Sequence, residues 1–285
     1  MTPTSLPASY AHCRRLTRAK ARNFHYAFLL LDRPRRDAIS AIYAFMRRCD
    51  DFGDDDALGD GAARRRLLAG WRESLEAALD GRAAGDPLWP AFHDAVQRYS
   101  IPPRYFFEMI DGVTSDLEPR RVATRAELER YCYQVASVAG LSLIHVLGFV
   151  SDNAVPLAER CGYAFQLTNI LRDVGEDAAR GRIYLPAEDL VRFGVEPADL
   201  RPGGGGEAFR RLMRFEAARA RGYYDESAGV IELVDPAGRR ALWALITIYR
   251  RLLDRIERLD YDVLDRRVSL SALEKTGVAL RALLR

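Results

Sequence analysis

Two acidic segments hold the residues best placed to do chemistry in this sequence. The first spans positions 43–56 and contains Tyr43, Arg47, Asp50, Asp51 and Asp54; the second spans 166–177 and contains Gln166, Asn169, Arg172, Asp173, Glu176 and Asp177. Asp50 and Asp54 are four residues apart, as are Asn169, Asp173 and Asp177. Residues at i and i+4 share a helix face. One stripe would therefore carry Tyr43, Arg47, Asp50 and Asp54, with Ile42, Phe45 and Met46 packing elsewhere. The second stripe stands in an apolar context of Tyr163, Phe165, Leu167, Ile170 and Leu171. Like charges at this spacing repel, and a desolvated carboxylate pair raises its own pKa. Divalent cations between the two helices remove that cost. Mg²⁺ prefers oxygen ligands and takes one or two carboxylates plus phosphate oxygens. Two facing acidic helices thus make a metal clamp for a diphosphate, and the metal would help a carbon–oxygen bond ionise. A single acidic cluster is more often a solvated helix end. Asp54 to Asp56, followed by Gly59-Asp60-Gly61, suits a loop equally well. Two such stripes, each with amide or arginine partners, are much harder to explain by solvation alone.

The elements that must position these stripes read as helices. Helical periodicity dominates and period-2 alternation is nearly absent. Helices are predicted over 9–22, 35–51, 62–78, 88–99, 103–116, 125–150, 153–175, 206–227, 237–259 and 271–284. The breaks between them carry turn chemistry, as at 32–34, 101–103, 151–153 and 201–206. The glycine run 203–206 follows no strand and precedes no Lys-Ser/Thr, so it is a loop and not a phosphate cradle. No glycine fingerprint of a dinucleotide fold occurs. The expectation is an all-α, single-domain bundle over 1–285.

Bulk properties narrow the class. Apolar residues make up 48% of the 285, enough for a sizeable core, and the net charge of +3 gives no bulk pull toward nucleic acid. Of 43 Lys and Arg residues only Lys20 and Lys275 are lysine. Codon bias accounts for most of the arginines, so only those beside other functional residues carry weight. Cys13, Cys49, Cys132 and Cys161 form no Cys-x-x-Cys pair and have no zinc spacing, which suits a reduced cytoplasmic protein. No signal peptide and no run of about 20 apolar residues is present.

The quoted residues resemble the squalene/phytoene synthase family over nearly the whole chain. The first signature is Asp-Asp-Phe-Gly-Asp at 50–54, preceded by Tyr43 and Arg47. The second runs from Asn169 through Asp177 to Pro186. Between them, positions 131–140 are similar to the family's central helix motif, and positions 21–28 resemble its entry helix. Tyr249 and positions 261–267 resemble its last helices. The resemblance implies an isoprenoid-synthase-type bundle with a deep central cavity. Asp50, Asp54, Asp173 and Asp177 would bind Mg²⁺, assisted by Asp51 and Glu176. Gln166 and Asn169 would line the diphosphate region, while Arg47, Arg22 and Arg172 would pair with diphosphate or hold an aspartate. Tyr131 would sit close to a carbocation. Tyr43 and Tyr249 would support it, and Phe24, Val135 and Leu143 would form the prenyl-chain wall. A lone Tyr or Phe on a bundle helix is otherwise more often plain core.

The implied activity is head-to-head condensation of two prenyl diphosphates. Asn23 stands where the family commonly has Ser or Thr, and Ser137 where it more often has Gly. The latter points to the presqualene diphosphate branch, so the leading expectation is two farnesyl diphosphates giving presqualene diphosphate or squalene. Phytoene or dehydrosqualene synthesis is the alternative. Squalene would require hydride from NADPH, for which no motif is seen. Substrate and product are greasy, so peripheral membrane contact is expected. Head-to-tail elongation and terpene cyclisation also use aspartate-rich helices, but the run 169–186 argues against both. A non-catalytic scaffold is expected to lose the metal carboxylates, and all four are present.

Overall fold

Several helices start where their sequence gives a local reason. In the computed structural model, which describes residues 4–21, 24–82 and 85–285, the helices are α1 (Leu6–Lys20), α2 (Phe24–Phe28), α3 (Arg33–Asp54), α4 (Gly61–Leu79), α5 (Trp89–Arg98), α6 (Arg104–Ser115) and α7 (Arg125–Cys132). They continue as α8 (Val138–Leu147), α9 (Ala154–Ala179), α10 (Ala187–Phe193), α11 (Glu207–Glu226), α12 (Val230–Leu233), α13 (Pro236–Arg258) and α14 (Ala272–Leu283). Asp32 caps α3, its side chain accepting from the Arg35 backbone at 2.9 Å, and a proline occupies the first turn, where no intrahelical N–H is lost. Ser271 and Glu274 form a capping box that opens α14. Among the described residues no strand forms; two isolated bridges join Arg121 to Ile183 and Phe149 to Val234.

The packing places α3 and α9 on opposite sides of one cavity. Behind α3, Phe45 stacks on Phe92 at 4.9 Å and on Trp71 at 5.7 Å, and meets Phe106 edge-on at 5.3 Å. Burying aromatic side chains of this size contributes roughly 1.5–3 kcal/mol each. That anchor fixes the rotation of α3 and turns its Asp50 face inward. Helix α9 packs against α8, α11 and α13. Ile42 and Met46, expected to pack away from the polar stripe, also line the cavity.

The expected single helix over 125–150 is interrupted. A π-helical turn, Tyr133–Ser137, separates α7 from α8, and the Val138 N–H donates to the Tyr133 carbonyl five residues back. The turn is seated between two glycines. A Cβ added at Gly162 would lie 2.5 Å from Ser137 Cα, and one at Gly112 would lie 2.8 Å from Val135 Cγ1. The extra residue lets Tyr131, Val135, Ala139 and Leu143 all face the cavity, whereas Val138 does not.

All four cysteines are free and buried. Among the described residues no helix is long and apolar enough to cross a membrane.

Candidate active site

A cavity of about 440 Å³ lies between α3 and α9. Its mouth is charged and its interior apolar. From α3 come Arg47, Asp50 and Asp54, and from α9 come Arg172, Asp173, Glu176 and Asp177. Asn169 and Gln166 stand one and two turns deeper on the same stripe of α9. Tyr43, Tyr249, Phe24 and Val135 form the wall below, and Leu143, Val146 and Leu242 continue the apolar lining. Phe165 stacks on Tyr249 at 4.1 Å, and Phe24 lies 5.8 Å from the same ring. A pocket so divided suits an amphiphile with an anionic head and a hydrocarbon tail.

One of the expected site residues is not found in that lining. Asp51 sits next to the Asp50 stripe but turns away, accepting from Arg47 Nε at 2.8 Å. It positions an arginine and does not face the cavity. Arg22 lies outside the described residues, as does Asn23. All the other expected residues converge on one space.

The carboxylates are under electrostatic tension. Burial pushes Asp50 up to about 7; Asp54, Asp51 and Asp116 add to this and Arg47 opposes it. Burial likewise pushes Asp177 up to about 7, with Asp173, Glu176 and Asp116 adding and Arg182 opposing. Arginines restrain the other acids. Arg172 Nε donates to Asp173 Oδ1 at 2.8 Å, and Arg267 approaches Asp173 at 3.3 Å and Glu176 at 3.6 Å. Among the described residues no three acidic, histidine or cysteine side chains already converge as a metal cage. Yet one buried oxygen on the α9 stripe, Asn169 Oδ1, has no hydrogen-bond partner. An unsatisfied acceptor beside repelling carboxylates makes a donor set suited to a hard cation.

Asp116, Arg180, Arg182 and Tyr184 also line the cavity and had no place in the proposed site when read from spacing. Asp116 follows the end of α6. The other three lie in the loop after α9, within the long second signature but off any helical stripe. That loop is pinned by backbone bonds, Ile183 N–H to the Arg120 carbonyl at 2.7 Å and Val122 N–H to the Ile183 carbonyl at 3.1 Å. Tyr131 stacks on Tyr184 at 4.6 Å and donates its hydroxyl to Asp116 Oδ2 at 2.7 Å.

Comparison with known proteins gives a consistent family. The squalene/phytoene synthase model matches residues 17–274. A phytoene synthase of Arthrospira platensis is 38% identical over 287 residues, covering 96% of this chain and 92% of its own length. Further phytoene synthases match at 34–37% identity. The solved structure of a dehydrosqualene synthase in complex with ligand superposes with a TM-score of 0.89 at 32% identity, over 98% of this chain and 96% of that one. Squalene synthase HpnC from Alicyclobacillus acidocaldarius superposes with a TM-score of 0.83 at 30% identity, over 91% and 97% of the two chains. With the fold, the cavity and these matches in agreement, the chain belongs to the squalene/phytoene synthase family, prenyl transferases that join two prenyl diphosphates head to head.

Proposed function

We propose that this protein condenses two geranylgeranyl diphosphates to phytoene, with Mg²⁺ at the mouth of the cavity. The observation that carries the reading is the facing of Asp50 and Asp54 on α3 with Asp173 and Asp177 on α9 above an apolar chamber. The C40 product is favoured over the presqualene diphosphate expectation by the names of the relatives, since phytoene synthases match at up to 38% identity. Ser137, which pointed to the presqualene branch, is buried against Gly162, donates to the Glu159 carbonyl at 2.8 Å and does not line the cavity. Its identity answers to packing. The second reading is a C30 product from farnesyl diphosphate, favoured by the likeness to the dehydrosqualene synthase structure. Phytoene formation needs no hydride, whereas squalene formation would need NADPH.

Bound Mg²⁺ would neutralise the diphosphates and assist departure of the leaving group. Asp50, Asp54, Asp173 and Asp177 would hold it, with Asn169 Oδ1 as a neutral ligand and Glu176 at the rim. Arg172, Arg182 and Arg267 would release their carboxylates to pair with diphosphate oxygens, which suit the guanidinium fork. Arg47, anchored by Asp51, would act similarly from α3, and Gln166 would orient the head group. Below them Phe24, Tyr43, Phe165 and Tyr249 exclude water, which would otherwise quench an allylic cation. Their ring faces stabilise positive charge by about 0.5–2 kcal/mol each. The acceptor's double bond attacks the cation, and loss of a proton closes a cyclopropane beside Tyr131. A second ionisation, rearrangement and proton loss would give the 1′–1 linked product. That product is a hydrocarbon, so we place its release at a membrane surface.

The test is incubation of the purified chain with geranylgeranyl or farnesyl diphosphate and Mg²⁺, with and without NADPH, followed by mass spectrometry. Phytoene from the C20 substrate is expected. Turnover of farnesyl diphosphate alone would move the protein to the C30 branch, and turnover of neither would end the condensation reading.

A further inference from the structure

Among the described residues, Asp116 is the one carboxylate at the cavity that lies on neither acidic helix. It follows α6, faces the chamber and is largely buried. Its Oδ2 accepts the Tyr131 hydroxyl at 2.7 Å, while its Oδ1 has no hydrogen-bond partner and is approached by Arg120 at 3.9 Å, with Arg182 and Tyr184 also acting on the carboxylate. A half-satisfied buried carboxylate costs on the order of 1–3 kcal/mol, so the fold retains it against stability. Its surroundings are built to keep it in place. The Arg120 guanidinium lies 4.6 Å over the Tyr131 ring, Tyr184 stacks on the same ring at 4.6 Å, and the Arg121–Ile183 bridge ties both supporting segments together. Tyr131 itself is buried and opens only on the cavity.

We propose that Asp116 is a positioning residue that turns the Tyr131 proton away from the cavity and takes it up when the cyclopropane closes. This rests on the condensation reading above. A phenol that donates to a carboxylate keeps its oxygen lone pairs free, so Tyr131 offers an acceptor to the cationic substrate. In the step itself the former donor carbon, now two bonds from the cationic carbon, loses a C–H proton, and the electron pair of that bond joins the two carbons as the third ring bond. The proton goes to the Tyr131 oxygen as the original hydroxyl proton passes to Asp116 Oδ2. Charge balances: the cation is discharged, the carboxylate becomes a carboxylic acid, and Tyr131 ends as it began. A base held this way contributes about 10²–10⁴-fold.

The experiment compares Asp116→Asn, Tyr131→Phe and the double variant in the full chain, with whichever diphosphate the wild type turns over. Asp116→Asn is expected to lower kcat about 100-fold with KM within about threefold, and the double variant to be no slower than Tyr131→Phe. Asp116→Glu, which keeps the acid, is the second variant and should retain at least about tenfold more kcat than Asp116→Asn. An unchanged kcat in Asp116→Asn, losses that multiply in the double variant, or equal losses for Asn and Glu would overturn the proposal. If the wild type turns over neither diphosphate, the condensation reading fails on its own. The contact is then read by NMR of ¹³Cζ-labelled tyrosine. The Tyr131 resonance, assigned with Tyr131→Phe, must move in Asp116→Asn, and an unmoved resonance removes the hydrogen bond on which the inference stands.

Discussion

Arg182 donates from Nη1 to Asp54 Oδ1 at 2.9 Å, joining the loop after α9 to the last residue of α3 across 128 positions of sequence. The arginine is 12% exposed and the aspartate 51%. This bond spans the mouth of the cavity, so both its partners stand where a diphosphate would enter. Arg182→Gln is expected to cost about 1 kcal/mol or less of stability, because a half-exposed pair is screened by water. The same change should lower kcat/KM by at least about tenfold, the usual effect of losing one charged contact to a bound anion. Urea denaturation and steady-state kinetics measure the two. A large stability loss with unchanged kinetics would make Arg182 a purely structural tie.

Asp50 and Asp177 should reveal themselves through pH. Their ordinary value is 3.8, and both are pushed up to about 7 in the folded chain. The native state then holds more protons than the unfolded one between these values. The stability each contributes is full below about pH 4 and is lost as pH rises through about 7. In chelator, the chain is expected to melt lower at about pH 8 than at about pH 6. Asp50→Asn and Asp177→Asn should each raise the melting temperature at about pH 8 by a few degrees and reduce the pH dependence. Turnover should fall by at least about 100-fold in either variant. Calorimetry at two pH values decides; an Asn variant that melts below the parent at the higher pH would contradict the electrostatic account.

Chelation offers a separate check. With EDTA, the chain should bind a non-ionisable prenyl diphosphate analogue weakly, and added Mg²⁺ should restore binding and raise the melting temperature with analogue concentration. Calorimetric titration reads this directly. Equal affinity with and without Mg²⁺ would remove the cation from the site.

Two glycines should behave in opposite ways. Gly162→Ala drives a Cβ to 2.5 Å from Ser137 Cα, backbone that cannot yield without moving the π turn. A loss of about 1–3 kcal/mol and reduced turnover are expected. Gly222, inside α11, has nothing within 4 Å of an added Cβ. There Gly→Ala should stabilise by up to about 1 kcal/mol with turnover unchanged. Urea denaturation of both variants tests the contrast.

The legible parts of the site are those that helical spacing encodes. Asp50, Asp54, Asp173 and Asp177 could be read because α3 and α9 are long and repeat their chemistry every four residues. Asp51 was expected to assist the metal through the family resemblance, yet one residue along a helix rotates by about 100° and leaves the face of Asp50. Asp116, Arg182 and Tyr184 come from a helix end and a loop. Their meeting depends on the Arg121–Ile183 bridge, a tertiary contact without a local pattern. The bundle itself was readable from periodicity. Short elements such as α2 and α10 were not, because five or seven residues span too few turns to show a period.

The π turn at Tyr133–Ser137 has an implication for how this chamber can change. One surplus residue sets the rotational phase of everything after it in α8. Straightening the turn into regular α-helix with every residue kept would swing Ala139 and Leu143 around the axis by about 100° and bring Val138 into the lining. A substitution trims the chamber one side chain at a time; a change that unwinds this turn replaces a whole wall. The winding of the backbone at this point, as much as the side chains it carries, is therefore a heritable setting for the shape of the hydrocarbon that leaves.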